Sequence, residues 1–221
     1  MSMFPLIRRV SLHVTPVLAR LPVSANQITA VSLVAGVVGG LCMTRGEWMW
    51  GIAGGLFLVL SYVLDNCDGE IARLKNQISR FGMHFDNFVD SAVHTVFFAA
   101  LGIGITKTTG QDVWLWLGWI AAAGCAINYV AGFIIDARDR AAAEQAQDPD
   151  AREEATRWRM PRGRREWIIY VFRELSRADF CFIVLALAVF DLTWVLLPFA
   201  AAGAHAYWVF RFASGASRFR V

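Results

Sequence analysis

Residues 65–90 read DNCDGEIARLKNQISRFGMHFDNFVD, and the flanking segments, WMWGIAGGLFLVLSYVL (48–64) and SAVHTVFFAALGIGIT (91–106), carry no formal charge. Two apolar runs of 17 and 16 residues around a charged segment read as antiparallel membrane helices joined on one side of a bilayer. Asp65 and Asp68 stand three apart where the first run ends, and Asp86 and Asp90 four apart where the second begins. On helices, both spacings place the paired carboxylates on one face, a turn apart. The segment between the pairs is expected to form a short turn, with Gly82 easing a tight approach. Four carboxylates then meet near the membrane surface.

The rest of the chain agrees with this setting. Of 221 residues, 57% are hydrophobic and only 18% charged, and the mean hydropathy is +0.46. Soluble domains average about 45–50% apolar and about 25% charged residues, so a water-soluble fold of this length could not hide so much apolar surface. Uncharged runs also cover Leu21–Thr44, Val113–Ile135, Phe180–Phe190 and Leu192–Phe210. The expectation is an all-α integral membrane protein with six transmembrane helices. Residues 1–20 precede them as an amphipathic helix lying on the membrane surface, and residues 21–221 form the transmembrane domain. A charged connection falls at about 138–166. The first strong apolar run is too long for a cleavable signal peptide and lacks a small-residue cleavage site.

Six spans with both termini on one side place 19 of the 21 Lys and Arg on that side, leaving Arg45 and Lys107 opposite. The positive-inside rule assigns that side, and the acidic segment with it, to the cytoplasm, at the inner membrane if the source is bacterial. The net charge of +3 is thus a membrane signature and points to no nucleic-acid partner. Cys42, Cys67, Cys125 and Cys181 stand singly without metal-ligand spacing and read as inert buried thiols.

Four ionised Asp cannot share a site unaided, and divalent cations resolve their repulsion. All-oxygen ligation suits Mg²⁺ or Mn²⁺, hard ions that commonly work on phosphates. Four carboxylates suit two ions, the arrangement that clamps both oxygens of a phosphoryl displacement. Gly69 removes a side chain where a nucleotide could approach, and Arg73 can offer its fork to a pyrophosphate or a cytosine carbonyl. Either Asp pair alone reads also as a solvated helix boundary, and Asp86 and Asp90, which open the third span, read also as a complement to its helix dipole.

The full pattern, D-x2-D-G-x2-A-R-x8-G-x3-D-x3-D, is complete at Asp65, Asp68, Gly69, Ala72, Arg73, Gly82, Asp86 and Asp90. It resembles the signature of the CDP-alcohol phosphotransferases, also called CDP-alcohol phosphatidyltransferases. Asn26-x-x-Thr29 also resembles that family, although Ala25 stands where the family usually has Pro. The resemblance implies six membrane helices, commonly in a homodimer, around a cavity open to the cytoplasm. It implies that Asp65, Asp68, Asp86 and Asp90 hold two divalent cations, Mg²⁺ or Mn²⁺, and that Asp90 also takes the acceptor's proton. Asn26, Thr29, Gly69, Arg73, Ser79 and Gly82 would line the CDP portion of a CDP-alcohol donor, with CDP-diacylglycerol the expected one. An acceptor hydroxyl would attack the β-phosphorus and release CMP, as a step of phospholipid biosynthesis.

The wording DGEIARLK…SRFG, with SRADF at 176–180, resembles the inositol-phosphate and polyol-phosphate branch. That implies an acceptor such as inositol phosphate or glycerol phosphate, met by cations. Arg138, Arg173, Arg177 and Arg211 are the candidates, Arg177 the preferred one, and each reads also as a headgroup anchor. Two other readings of the chain stay open. One is a divalent-cation transporter using the Asp cluster, and the other is a catalytically inactive membrane scaffold.

Overall fold

The computed structural model describes residues 6–145 and 179–213, without the side chains of 135–136, 139–145 and 206–213. The described residues are helical and contain no strand. The elements are α1 (Leu6–Ala19), α2 (Ala25–Met43), α3 (Trp48–Leu74), α4 (Arg80–Thr109), α5 (Val113–Gln145), α6 (Phe180–Val189) and α7 (Leu196–Ala213). A single 3₁₀ turn at Thr193–Val195 leads into α7. Helices α2, α3, α4 and the Val113–Ile134 part of α5 are each long and apolar enough to cross a membrane, and α6 is a shorter apolar helix. Leu58, Val89, Phe97, Val184 and Leu197 close the interior, while Val31, Val34, Leu56, Trp116, Trp119 and Phe199 remain on the outside. Apolar surface of that extent fits a lipid boundary.

Helix α2 lies against α3 and α4, α5 lies against α4 and α7, and both α1 and α6 pack on α3. Small residues permit the closest approaches, as is usual where lipid provides no hydrophobic drive between helices. A Cβ on Gly39 would stand 2.9 Å from the Gly54 carbonyl oxygen, and one on Gly102 would stand 2.9 Å from the Gly118 Cα. The α2–α3 and α4–α5 backbones therefore touch directly.

The start of α4 corrects one expectation. Ser79 caps the helix, its Oγ accepting from the Gly82 amide at 3.0 Å, so Gly82 lies in the first turn of α4 and not in the preceding turn. That turn is closed by Asn76 in the left-handed conformation (φ 54°), with Gln77 N–H bonded to Ala72 C=O and Asn76 N–H to Arg73 C=O. The pattern is a Schellman C-cap. The expected connection from Arg138 onward also begins as helix, because α5 continues to Gln145.

Helix α1 buries Ile7, Ser11 and Thr15 and exposes Leu6, Val10, Leu12 and Val17. The stripe at i, i+4 and i+8 that faces α3 thus carries two polar residues after Ile7, with Val14 and Leu18 packed beside it and the other apolar side chains pointing outward.

Candidate active site

The last turns of α3 carry Asp65, Asp68, Gly69 and Arg73, and the first turns of α4 carry Gly82, Asp86 and Asp90. Carboxylate oxygens from Asp65, Asp68 and Asp86 lie within 4.8 Å of one another. Asp68 is the deepest, 5% exposed, and accepts a hydrogen bond from the Thr29 hydroxyl of α2. Three carboxylates at this separation in a half-buried cleft repel one another strongly. A hard cation satisfies such a set of oxygen donors, so these residues fit the Mg²⁺ or Mn²⁺ that the sequence implies. Asp90, one turn further along α4, is more open, with 52% of its side chain exposed and its Oδ1 3.3 Å from His94 Nδ1.

The expected nucleotide-binding residues fall into two groups beside the carboxylates. A Cβ on Gly82 would lie 3.1 Å from Ser79 Oγ and 3.2 Å from Asn26 Oδ1, so α2 and α4 meet there. A Cβ on Gly69 would meet only the guanidinium nitrogens of Arg73, at 3.7 and 4.0 Å. The surface above Gly69 is therefore open and bordered by a cation. The α3–α4 turn is tied to the start of α2 by Gln77, whose Oε1 accepts from the Ala25 amide at 2.9 Å. Lys75 Nζ adds bonds of 2.8 Å to the carbonyls of Leu21 and Val23.

Of the expected acceptor cations, Arg138 is an exposed residue of α5. Arg173 and Arg177 lie outside the described residues, as does the side chain of Arg211. His84 packs edge-to-face on Phe133 at 5.5 Å. A cavity of about 570 Å³ among Glu47, Trp48, Trp114, Asp191 and Trp194 lies at the other end of the bundle and holds none of the expected site residues.

The contacts of three residues went unforeseen in the sequence. Glu70 accepts hydrogen bonds from Ser11 (3.3 Å) and from Thr15, both on α1. The buried Asp179 carboxylate caps α1, accepting from the amides of Leu6 (3.0 Å) and Ile7 (2.9 Å). Tyr62 Oη lies 2.7 Å from His94 Nε2. Helical spacing marks the His94–Asp90 pair, but no local pattern marks partners that lie on different helices.

The family model for CDP-alcohol phosphatidyltransferase matches residues 22–202. Among curated proteins, the bifunctional IPC transferase and DIPP synthase of Thermococcus kodakarensis is 30% identical over 117 residues, 53% of this chain and 25% of that protein. The bifunctional IPC transferase and DIPP synthase of Aquifex aeolicus is 28% identical over 116 residues, 52% of this chain and 25% of its own length. The matched part of the chain thus spans about a quarter of these relatives. The fold resembles the crystal structure of Mycobacterium tuberculosis phosphatidylinositol phosphate synthase (PgsA1) with CDP-DAG bound. The TM-score is 0.57 and the identity 19%, over 96% of this chain and 98% of that one.

Proposed function

Because the chain belongs to the CDP-alcohol phosphatidyltransferase family, whose members are transferases, we propose that it moves a substituted phosphate from a CDP-alcohol to an acceptor hydroxyl. The observation that carries this reading is the convergence of Asp65, Asp68 and Asp86 beside the open surface at Gly69 and Arg73. The acceptor oxygen forms a new bond to the β-phosphorus while the bond from that phosphorus to the bridging oxygen breaks, and CMP departs with the bridging oxygen. Asp90 receives the hydroxyl proton. Thr29 holds the Asp68 carboxylate in place, and Arg73 faces the pyrophosphate. Asn26, Ser79 and Gly82 form the wall along which the cytidine lies. Mg²⁺ or Mn²⁺, held by Asp65, Asp68, Asp86 and Asp90, supplies charge neutralisation of the phosphates and of the departing CMP. Positioning and electrostatics then suffice without a covalent nucleophile.

CDP-diacylglycerol is the proposed donor, supported by the CDP-DAG bound in the PgsA1 structure. A polyol phosphate such as inositol phosphate is the proposed acceptor, and the likeness to the IPC transferases and to PgsA1 favours it. Arg138, Arg173, Arg177 and Arg211 are the proposed acceptor cations. The accompanying topology has six spans, α1 on the cytoplasmic leaflet and both termini in the cytoplasm, and the protein acts as a homodimer. Purified protein given CDP-diacylglycerol and a panel of glycerol 3-phosphate, inositol, inositol phosphate and serine tests the reading. CMP release is expected with a phosphorylated acceptor and a divalent cation, and to be lost in Asp90→Asn. Full turnover by that variant would overturn the proposal.

A further inference from the structure

The contacts of Asp90 differ from those of its three neighbours. The Asp65, Asp68 and Asp86 oxygens converge, whereas Asp90 stands beside that group with 52% of its side chain exposed. An exposed carboxylate on a helix turns readily about its side-chain torsions. A group that must meet an acceptor hydroxyl gains from being held in one orientation.

His94 lies one turn along α4 from Asp90. Its Nδ1 is 2.7 Å from the Asp90 backbone carbonyl and 3.3 Å from Asp90 Oδ1. Its Nε2 is 2.7 Å from the Tyr62 hydroxyl of α3. A carbonyl and an ionised carboxylate only accept hydrogen bonds, so Nδ1 must carry hydrogen. In the neutral ring Nε2 is then a bare acceptor for the Tyr62 O–H. The ring itself is wedged, edge-to-face with Tyr62 at 5.9 Å and tilted against Phe180 of α6 at 5.6 Å. Tyr62 is 7% exposed and lines, with Asp65 and Asp90, one small crevice between α3 and α4. A chain of hydrogen bonds therefore runs from α3 through a fixed imidazole to the Asp90 backbone carbonyl, and it leaves the same Nδ1 3.3 Å from the Asp90 carboxylate.

We propose that His94 is a positioning residue for the transfer step, keeping Asp90 Oδ1 on its own side so that Oδ2 faces the acidic cluster and the acceptor hydroxyl. Tyr62 fixes the tautomer and the plane of the ring. This inference rests on the reading of Asp90 as the group that takes the acceptor's proton. A purely structural histidine would fill the same space, and its loss would show as weaker folding and weaker metal binding together.

The test compares His94→Phe, His94→Asn, Tyr62→Phe and Asp90→Asn in the purified full chain. Readouts are CMP release from CDP-diacylglycerol with the acceptor panel, Mn²⁺ binding by electron paramagnetic resonance, and the imidazole nitrogen NMR signals. His94→Phe is expected to lower kcat about tenfold or more, with the KM for CDP-diacylglycerol and the Mn²⁺ affinity within about twofold of the parent. His94→Asn, whose amide N–H replaces Nδ1–H, is expected to recover most of the loss, and Tyr62→Phe to show an intermediate kcat. The His94 signal, assigned by its absence in His94→Phe, is expected to show a protonated Nδ1 and to move in Asp90→Asn. An unchanged kcat in His94→Phe, a parallel loss of Mn²⁺ binding, or a bare Nδ1 would overturn the inference. If the unmodified protein releases no CMP, or Asp90→Asn keeps full turnover, the proposed function fails by itself. The difference between the His94 nitrogen signals of the parent and of Asp90→Asn then still decides whether the imidazole meets the Asp90 carboxylate, and identical signals would overturn the inference.

Discussion

The Thr29 hydroxyl of α2 donates to the Asp68 carboxylate of α3, joining a helix that contributes no acid to the centre of the acidic cluster. Thr29→Val keeps the shape and removes the donor. Leaving a buried acceptor unmatched costs about 1–3 kcal/mol. Thermal unfolding in detergent is expected to move to lower temperature and Mn²⁺ to bind more weakly. Thr29→Ser, which keeps the hydroxyl, is expected to restore both, and a Thr29→Val protein with unchanged Mn²⁺ affinity would refute the link.

Gly69 and Gly82 carry the same residue type for different reasons, and alanine separates them. At Gly69 the new methyl meets only the ends of Arg73. Alanine is also the better helix former by about 1 kcal/mol. Gly69→Ala is therefore expected to unfold at the same or a higher temperature yet to bind CDP-diacylglycerol at least about tenfold more weakly. At Gly82 the methyl presses on Ser79 Oγ and Asn26 Oδ1, so Gly82→Ala is expected to lose both stability and donor binding. Calorimetry and titration on the same samples check the contrast.

Asp179, 1% exposed, accepts two backbone amides at the start of α1. Asp179→Ala leaves both donors without their acceptor, at about 1–3 kcal/mol each. Hydrogen exchange at the Leu6 and Ile7 amides is expected to accelerate well before the rest of the chain. Asp179→Asn, which keeps one acceptor oxygen, is expected to lie between. Equal exchange in all three proteins would show that the cap contributes nothing.

Chelation supplies a fourth expectation. EDTA is expected to abolish CMP release, and Mg²⁺ or Mn²⁺ to restore it. Asp65→Asn combined with Asp86→Asn is expected to remain inactive at any cation concentration, because two of the converging carboxylates are gone. Turnover in EDTA would contradict the assignment.

Much of this arrangement is written in local spacing. The pairs Asp65/Asp68 and Asp86/Asp90 are one helical turn apart, and the apolar runs beside them are long, so the meeting of acids from two helices follows from the sequence. Helix ends are less legible. Counting uncharged residues starts the third run at Ser91, whereas α4 starts at Arg80, because charge marks where lipid ends and a cap such as Ser79 marks where a helix begins. The partners of Glu70, Asp179 and Tyr62 are not legible at all. Thr15 and Glu70 are 55 residues apart and Leu6 and Asp179 are 173 apart, and only packing brings such residues together. The amphipathic pattern of residues 1–20 predicts a surface helix, but not that its polar stripe faces the bundle.

That polar stripe adds a second kind of adhesive to the apolar contacts of Ile7, Val14 and Leu18 that hold α1. Ser11, Thr15 and the first amides of the helix reach carboxylates on α3 and just before α6, while Leu12 and Val17 point away. Solubilising agents act by offering substitute hydrocarbon. They compete with greasy contacts and offer little to a carboxylate already matched by hydroxyls and amides. Extraction from the bilayer should therefore leave α1 seated, and a chain beginning at Leu21 would bare Glu70 to whatever amphiphile surrounds it.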